Sequence, residues 1–306
     1  MPPHSASAPT PTTSGAEPAS AALRAWRSRL ADRLVVVRDL PWRRTRDPWE
    51  ILVAEVMLQQ TQVSRVIPAY ERFLSSFPHP SACAEAPQSE VVLAWEGLGY
   101  HRRAVALHGA ATGICSRFGG EIPSDYQSLF SLPGVGSYTA RAIQAFAFEL
   151  DVAIVDTNVA RVISRAVVGT PLKAPATQRV ADALVPKGRG WAHNQAMLDF
   201  GALRCSAKPT CSGCPLRRSC RWARASWADP DPATATAGTS RRQAPFRGSD
   251  REARGRVLAA ARQGPVSEAT LNTLSDELQG ERVTRACEGL IADGLLARRR
   301  GLLVLR

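Results

Sequence analysis

Two carboxylates, four cysteines and one glycine turn carry most of the chemical potential of this sequence. Glu55 is the only charged residue between Ile51 and Leu58, and at helical spacing its neighbours are Ile51, Leu52 and Leu58. Such surroundings disfavour the carboxylate, raise its pKa and keep a proton available for general acid catalysis. Asp156 follows the apolar run Val152 to Val155 and opens the segment TNVARVISR, where it reads as a helix N-cap. Backbone N–H groups at that position are expected to depress its pKa. Capping alone explains most aspartates so placed. Beside a neutral Glu55, however, an ionised Asp156 completes a pair suited to breaking a glycosidic bond through an oxocarbenium-like state.

Cys205, Cys211, Cys214 and Cys220 form C-x5-C-x2-C-x5-C within one short segment. Four thiolates this close hold either structural zinc or an iron–sulfur cluster. A single C-x2-C pair with unequal spacing fits a [4Fe–4S] cluster better than the two knuckles of a zinc ribbon. Lys208, Arg217, Arg218 and Arg221 lie among these cysteines and make the loop basic, whereas Cys83, Cys115 and Cys287 stand alone and read as core residues. Residues 129–143, LFSLPGVGSYTARAI, read as helix, tight turn and helix. Gly134 and Gly136 leave the turn's N–H groups open to a phosphate at the next helix's N-terminus, a contact that positions DNA without reading its sequence.

These groups need a scaffold, and the pattern supplies one. Residues 21–222 are a series of apolar helix-period segments broken by Pro and Gly, which makes the fold mainly α. Asp47, Pro48 and Glu50 take the N-cap, N1 and N3 places of a capping box ahead of Glu55. Residues 1–20, rich in Ser, Ala, Pro and Thr, read as a disordered tail, and 223–250 read as a linker. Residues 251–306 are expected to form a small winged-helix-like module: helices over 251–262, 266–274 and 281–293, then a hairpin with Arg298, Arg299 and Arg300 at its tip. The net charge is +12, from 39 Lys and Arg against 27 Asp and Glu, which suits a polyanionic partner. No apolar run is long enough to span a bilayer, so a cytoplasmic, nucleoid-associated monomer is expected.

The hairpin, the aspartate after VAIV and the four-cysteine loop together resemble the endonuclease III superfamily over residues 25–222. LPWR at 40–43, EVMLQQTQV at 55–63 and WEGLGYHRRA at 95–104 look like its MutY-type branch of adenine DNA glycosylases, and the whole resembles the short actinobacterial members. The resemblance implies a two-lobed helix-hairpin-helix core with a [4Fe–4S] loop at 205–220, acting on mispaired double-stranded DNA. It implies that Glu55 protonates adenine N7 and that Asp156 stabilises or attacks the sugar cation, with Tyr138 and Asn158 organising the site. Arg43 and Gln195 match positions that contact the extruded adenine; Gln60, Thr61 and Leu98 match positions near an opposing 8-oxoguanine. Tyr138 stands where bifunctional relatives carry a Schiff-base lysine, so a monofunctional enzyme is expected.

Three departures accompany the resemblance. The first cysteine interval is one residue shorter than the family's C-x6-C, GLGYY has become GLGYH with His101 expected to face DNA, and no Nudix-like 8-oxoguanine reader is evident. Two other readings are an endonuclease III-like glycosylase for oxidised or mismatched pyrimidines and a non-catalytic iron–sulfur DNA-binding regulator.

Overall fold

The computed structural model describes residues 21–236, 245–278 and 280–306. The tail expected at 1–20 lies outside them. The chain starts in one lobe, crosses to a second and returns. Helix α1 (Ala21–Arg33) belongs to the first lobe. After a short 3-10 turn at Pro41–Arg43, the second lobe is built from α2 (Pro48–Leu58), α3 (Val63–Ser76), α4 (Pro80–Glu85), α5 (Gln88–Ala94), α6 (Arg102–Phe118), α7 (Tyr126–Phe130) and α8 (Ser137–Phe146). The chain then re-enters the first lobe through α9 (Thr157–Val162), α10 (Ala174–Leu184) and α11 (Gly190–Leu203), and the short α12 (Arg221–Arg224) follows the cysteine loop.

Local chemistry explains the helix that matters most. Asp47 accepts from Trp49 N at 2.7 Å and Glu50 N at 3.2 Å, with Pro48 preset for the first turn. The reciprocal half of the expected capping box is absent, because Asp47 N donates to Thr45 Oγ1 instead. From Ile51 to Met57 every residue of α2 is buried, so this helix runs through the core with no polar face. Trp49, Trp95 and Phe73 fill the same lobe, each contributing roughly 2–3 kcal/mol of burial. α9 passes into a π-helical stretch, Ile163–Val168, which Gly169 closes in the left-handed conformation.

Residues 245–306 add α13 (Asp250–Gln263), α14 (Glu268–Leu278), α15 (Gly280–Ala292) and the antiparallel strands β1 (Leu296–Arg299) and β2 (Leu302–Leu305). Arg300 and Gly301, both at positive φ, make the two-residue turn. Val266 is not helical as expected; it exchanges backbone bonds with Leu303 and so extends the hairpin by a bridge. The apolar core of this module is continuous with that of the second lobe. The linker also begins later than its composition suggests. Asp231 is ion-paired to Arg165, Ala233 and Thr236 are buried, and the stretch 229–236 lies anchored on the first lobe.

Candidate active site

Glu55 from α2 and Tyr138 from α8 meet Asp156, the N-cap of α9, where the chain crosses between lobes. Glu55 is 5% exposed and accepts a hydrogen bond from the Tyr138 hydroxyl. Burial, reinforced by the charge of Asp156, outweighs that bond and Arg43, and pushes the Glu55 carboxyl up to about 7. Tyr138 is held far above the usual phenol range by burial and by the two carboxylates, so it remains a donor.

Asp156 accepts from Val159 N and Asn158 Nδ2, both at 2.7 Å. These bonds favour the anion, yet its pKa is raised, because desolvation exceeds them. The expected depression is therefore reversed, and the reason is tertiary: desolvation at the crossing between the lobes costs the anion more than its cap returns. Asn158 Oδ1 in turn accepts from Arg161 Nη2 at 2.7 Å, and Arg161 donates to the carbonyls of Cys205 and Gly201. Gly201 is required here: a Cβ would stand 2.7 Å from that of Asn158. Asn194 braces the approach to Asp156, accepting from Ile154 N and donating to Val152 O. Neither Arg161 nor Asn194 carries a sequence signal, since the bonds that tie each to the rest of the site reach backbone groups about 40 residues away.

Arg43 is buried and bonded bidentately to Asp199, which is fully buried on α11 and also accepts from Val37 N, Arg38 N and Arg38 Nε. Five donors hold the Asp199 carboxyl far below the usual range despite burial. Arg43 Nε is buried without a partner among the described residues. Gln195, four residues before Asp199, is also buried on α11.

Two loops follow, one after α2 and one ahead of α6. Gln60 is exposed at φ 56°, just past the end of α2, and Thr61 follows it. In the second loop Leu98 is only 3% exposed and packs in the core, whereas Tyr100, at φ 48°, is the exposed aromatic. Arg103, which the motifs did not single out, lies between the loops and donates to both. His101 does not face outward as expected. It is largely enclosed near Arg254 and Arg262 of α13, and burial followed by these arginines and Arg103 lowers its pKa to about 4. The cause is the docked module, which sequence could not place.

Gly134 needs its glycine twice over: φ is 75° and a Cβ would meet Ala106 Cβ at 2.8 Å. Gly136 N-caps α8 with open space beside it, and neither glycine's N–H has a backbone partner among the described residues. At the far end of α11, Cys205, Cys211, Cys214 and Cys220 line one cavity with Phe200, Leu216 and Trp222. All four are free thiols, and among the described residues no three such groups close around a single ion. Arg165 binds this corner together: it donates to the carbonyls of Ser206 and Ala207, approaches Cys205 Sγ at 3.7 Å, pairs with Asp231 and lies over Trp222.

Residues 53–187 match the family described as HhH-GPD superfamily base excision DNA repair protein. The chain is 43% identical over 270 residues to an adenine DNA glycosylase of Mycolicibacterium smegmatis, covering 85% of this chain and 88% of that one. Its fold is similar to a thermostable thymine-DNA glycosylase (TM-score 0.60, 30% identity, 67% of this chain and 97% of that one). It is also similar to endonuclease III in a trapped covalent complex with DNA (TM-score 0.55, 25% identity, 68% and 96%).

Proposed function

The chain belongs to the adenine DNA glycosylases of the HhH-GPD superfamily of base excision DNA repair proteins, and we propose that it removes adenine mispaired with 8-oxoguanine or guanine by hydrolysis alone. It is a DNA glycosylase and binds DNA. The observation that carries the mechanism is Glu55, buried beside Tyr138 and Asp156 with a carboxyl pKa of about 7. At neutral pH this group still holds a proton in about half the molecules.

Glu55 donates that proton to N7 of the extruded adenine. The electrons of the C1′–N9 bond depart with the base, and the sugar cation forms opposite the Asp156 carboxylate. Asp156 stabilises the cation or bonds to it transiently until water supplies the new C1′–O bond and gives up its proton to the Glu55 carboxylate, which restores the acid. Asn158 and the Val159 N–H hold the carboxylate in place. Tyr138 keeps Glu55 oriented, and its phenol forms no imine, which supports a monofunctional enzyme without lyase chemistry by that route. Arg43 Nε is a buried donor suited to an acceptor on the base edge, and Gln195 lies one helical turn before its partner Asp199 on α11. The left-handed turn at Gln60, Thr61 and the Leu98 loop serve the opposing 8-oxoguanine, and the Gly134–Gly136 turn offers N–H groups to a phosphate.

Cys205, Cys211, Cys214 and Cys220 fit a [4Fe–4S] cluster. The four residues line a common cavity, and Arg161 and Arg165 beside Cys205 offset negative charge there. Bound there, the cluster supplies structural cross-linking of this loop. The hairpin of residues 296–305 presents exposed Arg298, Arg299 and Arg300, consistent with a winged-helix-like module that adds backbone contacts.

The test is base release from duplexes carrying adenine opposite 8-oxoguanine, adenine opposite guanine and thymine opposite guanine. Adenine release from the first two, lost in Glu55→Gln while DNA binding persists, is expected. Thymine release in place of adenine would move the chain to the pyrimidine branch; DNA binding without any release would leave only the regulator.

A further inference from the structure

Base extrusion requires the enzyme to push two stacked strands apart, and this demands rigid tips at a fixed spacing. Two exposed tips follow the elements that carry the site: Gln60 just past α2, the helix of Glu55, and Tyr100 in the loop ahead of α6. Both are exposed non-glycine residues in the left-handed region, a strained conformation that persists only where the surroundings enforce it. The enforcing group is Arg103. Its Nη1 donates to the carbonyls of Val56, Met57 and Gln59 at 2.9, 2.8 and 2.6 Å. Its Nη2 donates to Thr61 Oγ1 and Gly99 O, both at 3.0 Å, and to Leu98 O at 3.3 Å. Nε approaches Tyr100 O at 3.4 Å, and the guanidinium lies within 6 Å of the Trp95 and Tyr100 rings.

One cation thus satisfies the terminal carbonyls of α2, where positive charge is favoured by the helix dipole, and simultaneously the carbonyls of the second loop. Burial lowers its pKa only to about 10, so it stays charged at neutral pH. A lysine could not do this: its three donors radiate from one nitrogen, whereas the planar fork spans two loops at once. Arg65 also reaches Gly97 O, tying the second loop to α3.

We propose that Arg103 is a positioning residue that locks Gln60 and Tyr100 into one wedge, so that it governs strand separation and base extrusion and leaves the glycosidic step untouched. The inference rests on the adenine glycosylase reading. Two substrates separate them: adenine paired opposite 8-oxoguanine in a duplex, and the same strand with adenine left unpaired in a one-nucleotide bulge. In the full-length protein Arg103→Lys is expected to slow single-turnover release from the paired duplex by roughly a hundredfold. Release from the bulge should stay near the wild-type rate. With 2-aminopurine in place of adenine in the paired duplex, the fluorescence rise that marks unstacking should slow in parallel. Arg65→Gln frees the second loop from α3 and leaves the Arg103 fork in place, so a smaller loss confined to the paired duplex is expected, whether or not Arg103→Lys folds. Equal losses on both substrates, or no loss on the paired one, overturn the proposal. A wild-type protein that releases adenine from neither substrate overturns the functional reading instead.

Discussion

The second lobe is joined to its two neighbours in opposite ways. Toward the first lobe the joint has a dry ionic centre within apolar packing: Arg43 and Asp199, 5% and 0% exposed at their side chains, share two bonds, and Asp199 takes three more donors from Val37 and Arg38. Toward residues 245–306 the joint is an apolar core whose rim carries half-wet pairs. Arg102 and Asp293 stand 3.6 Å apart, Arg262 and Glu96 3.5 Å, and Gln88 Nε2 donates to Gly294 O. The proposed catalytic groups, Glu55, Tyr138 and Asp156, straddle the first joint and none lies at the second. A buried ion pair is a poor source of stability compared with apolar packing, but it tolerates little displacement, because either charge left alone is severely penalised. That property suits a cleft in which Glu55 and Asp156 come from different lobes. Rim pairs in water tolerate sliding, and they suit a module that need only remain attached.

The comparison can be broken at each joint. Asp199→Ala strands the Arg43 guanidinium and is expected to cost about 3–5 kcal/mol, measured by denaturant unfolding, with base release falling too. If the loss is below 1 kcal/mol, the lobes are not held by this pair. Glu55→Gln comes next. The Glu55 pKa is raised from 4.5 to about 7 on folding, so its protonated form is preferred and the wild type loses stability as pH rises across that window. The variant should therefore match the wild type near pH 4 and exceed it above pH 7 by on the order of 3 kcal/mol. Equal stability at high pH would mean that the site is wetter than its geometry. The rate carries the same signature: base release should rise in acid as Asp156 ionises, then fall above about pH 7 as Glu55 loses its proton. At the second joint Asp293→Ala should cost no more than about 1 kcal/mol and leave base release intact. Replacing Arg298, Arg299 and Arg300 together by Gln should change the glycosidic step least. It should flatten the salt dependence of DNA binding, by up to about one unit of slope per lost phosphate contact.

Much of the catalytic reading was available in the order of residues, because the signals are local. A lone glutamate in an all-apolar helix has to be desolvated wherever that helix packs, and Glu55 is. Asp156 was legible as a cap, since capping needs only the next three residues. Its pKa was not: the sign depends on which walls close around it. Leu98 and His101 lie one turn of chain from exposed Tyr100, and sequence could not say which of the three faces out. Arg103, Arg161, Arg165, Asn194 and Asp199 stayed invisible for one reason. Each acts largely on backbone groups or charges brought near only by folding, and a carbonyl has no letter of its own.

By itself the sequence determined the helical class, the glycine turn, the acid in its apolar helix, the aspartate cap and the four thiols, each set by neighbours within a few residues. Tertiary structure alone decided that the acid and the aspartate meet, that burial overrides the cap, that an arginine spans two loops and that His101 turns inward. Desolvation and distant hydrogen bonds depend on what packs across a gap, and no spacing along the chain encodes them.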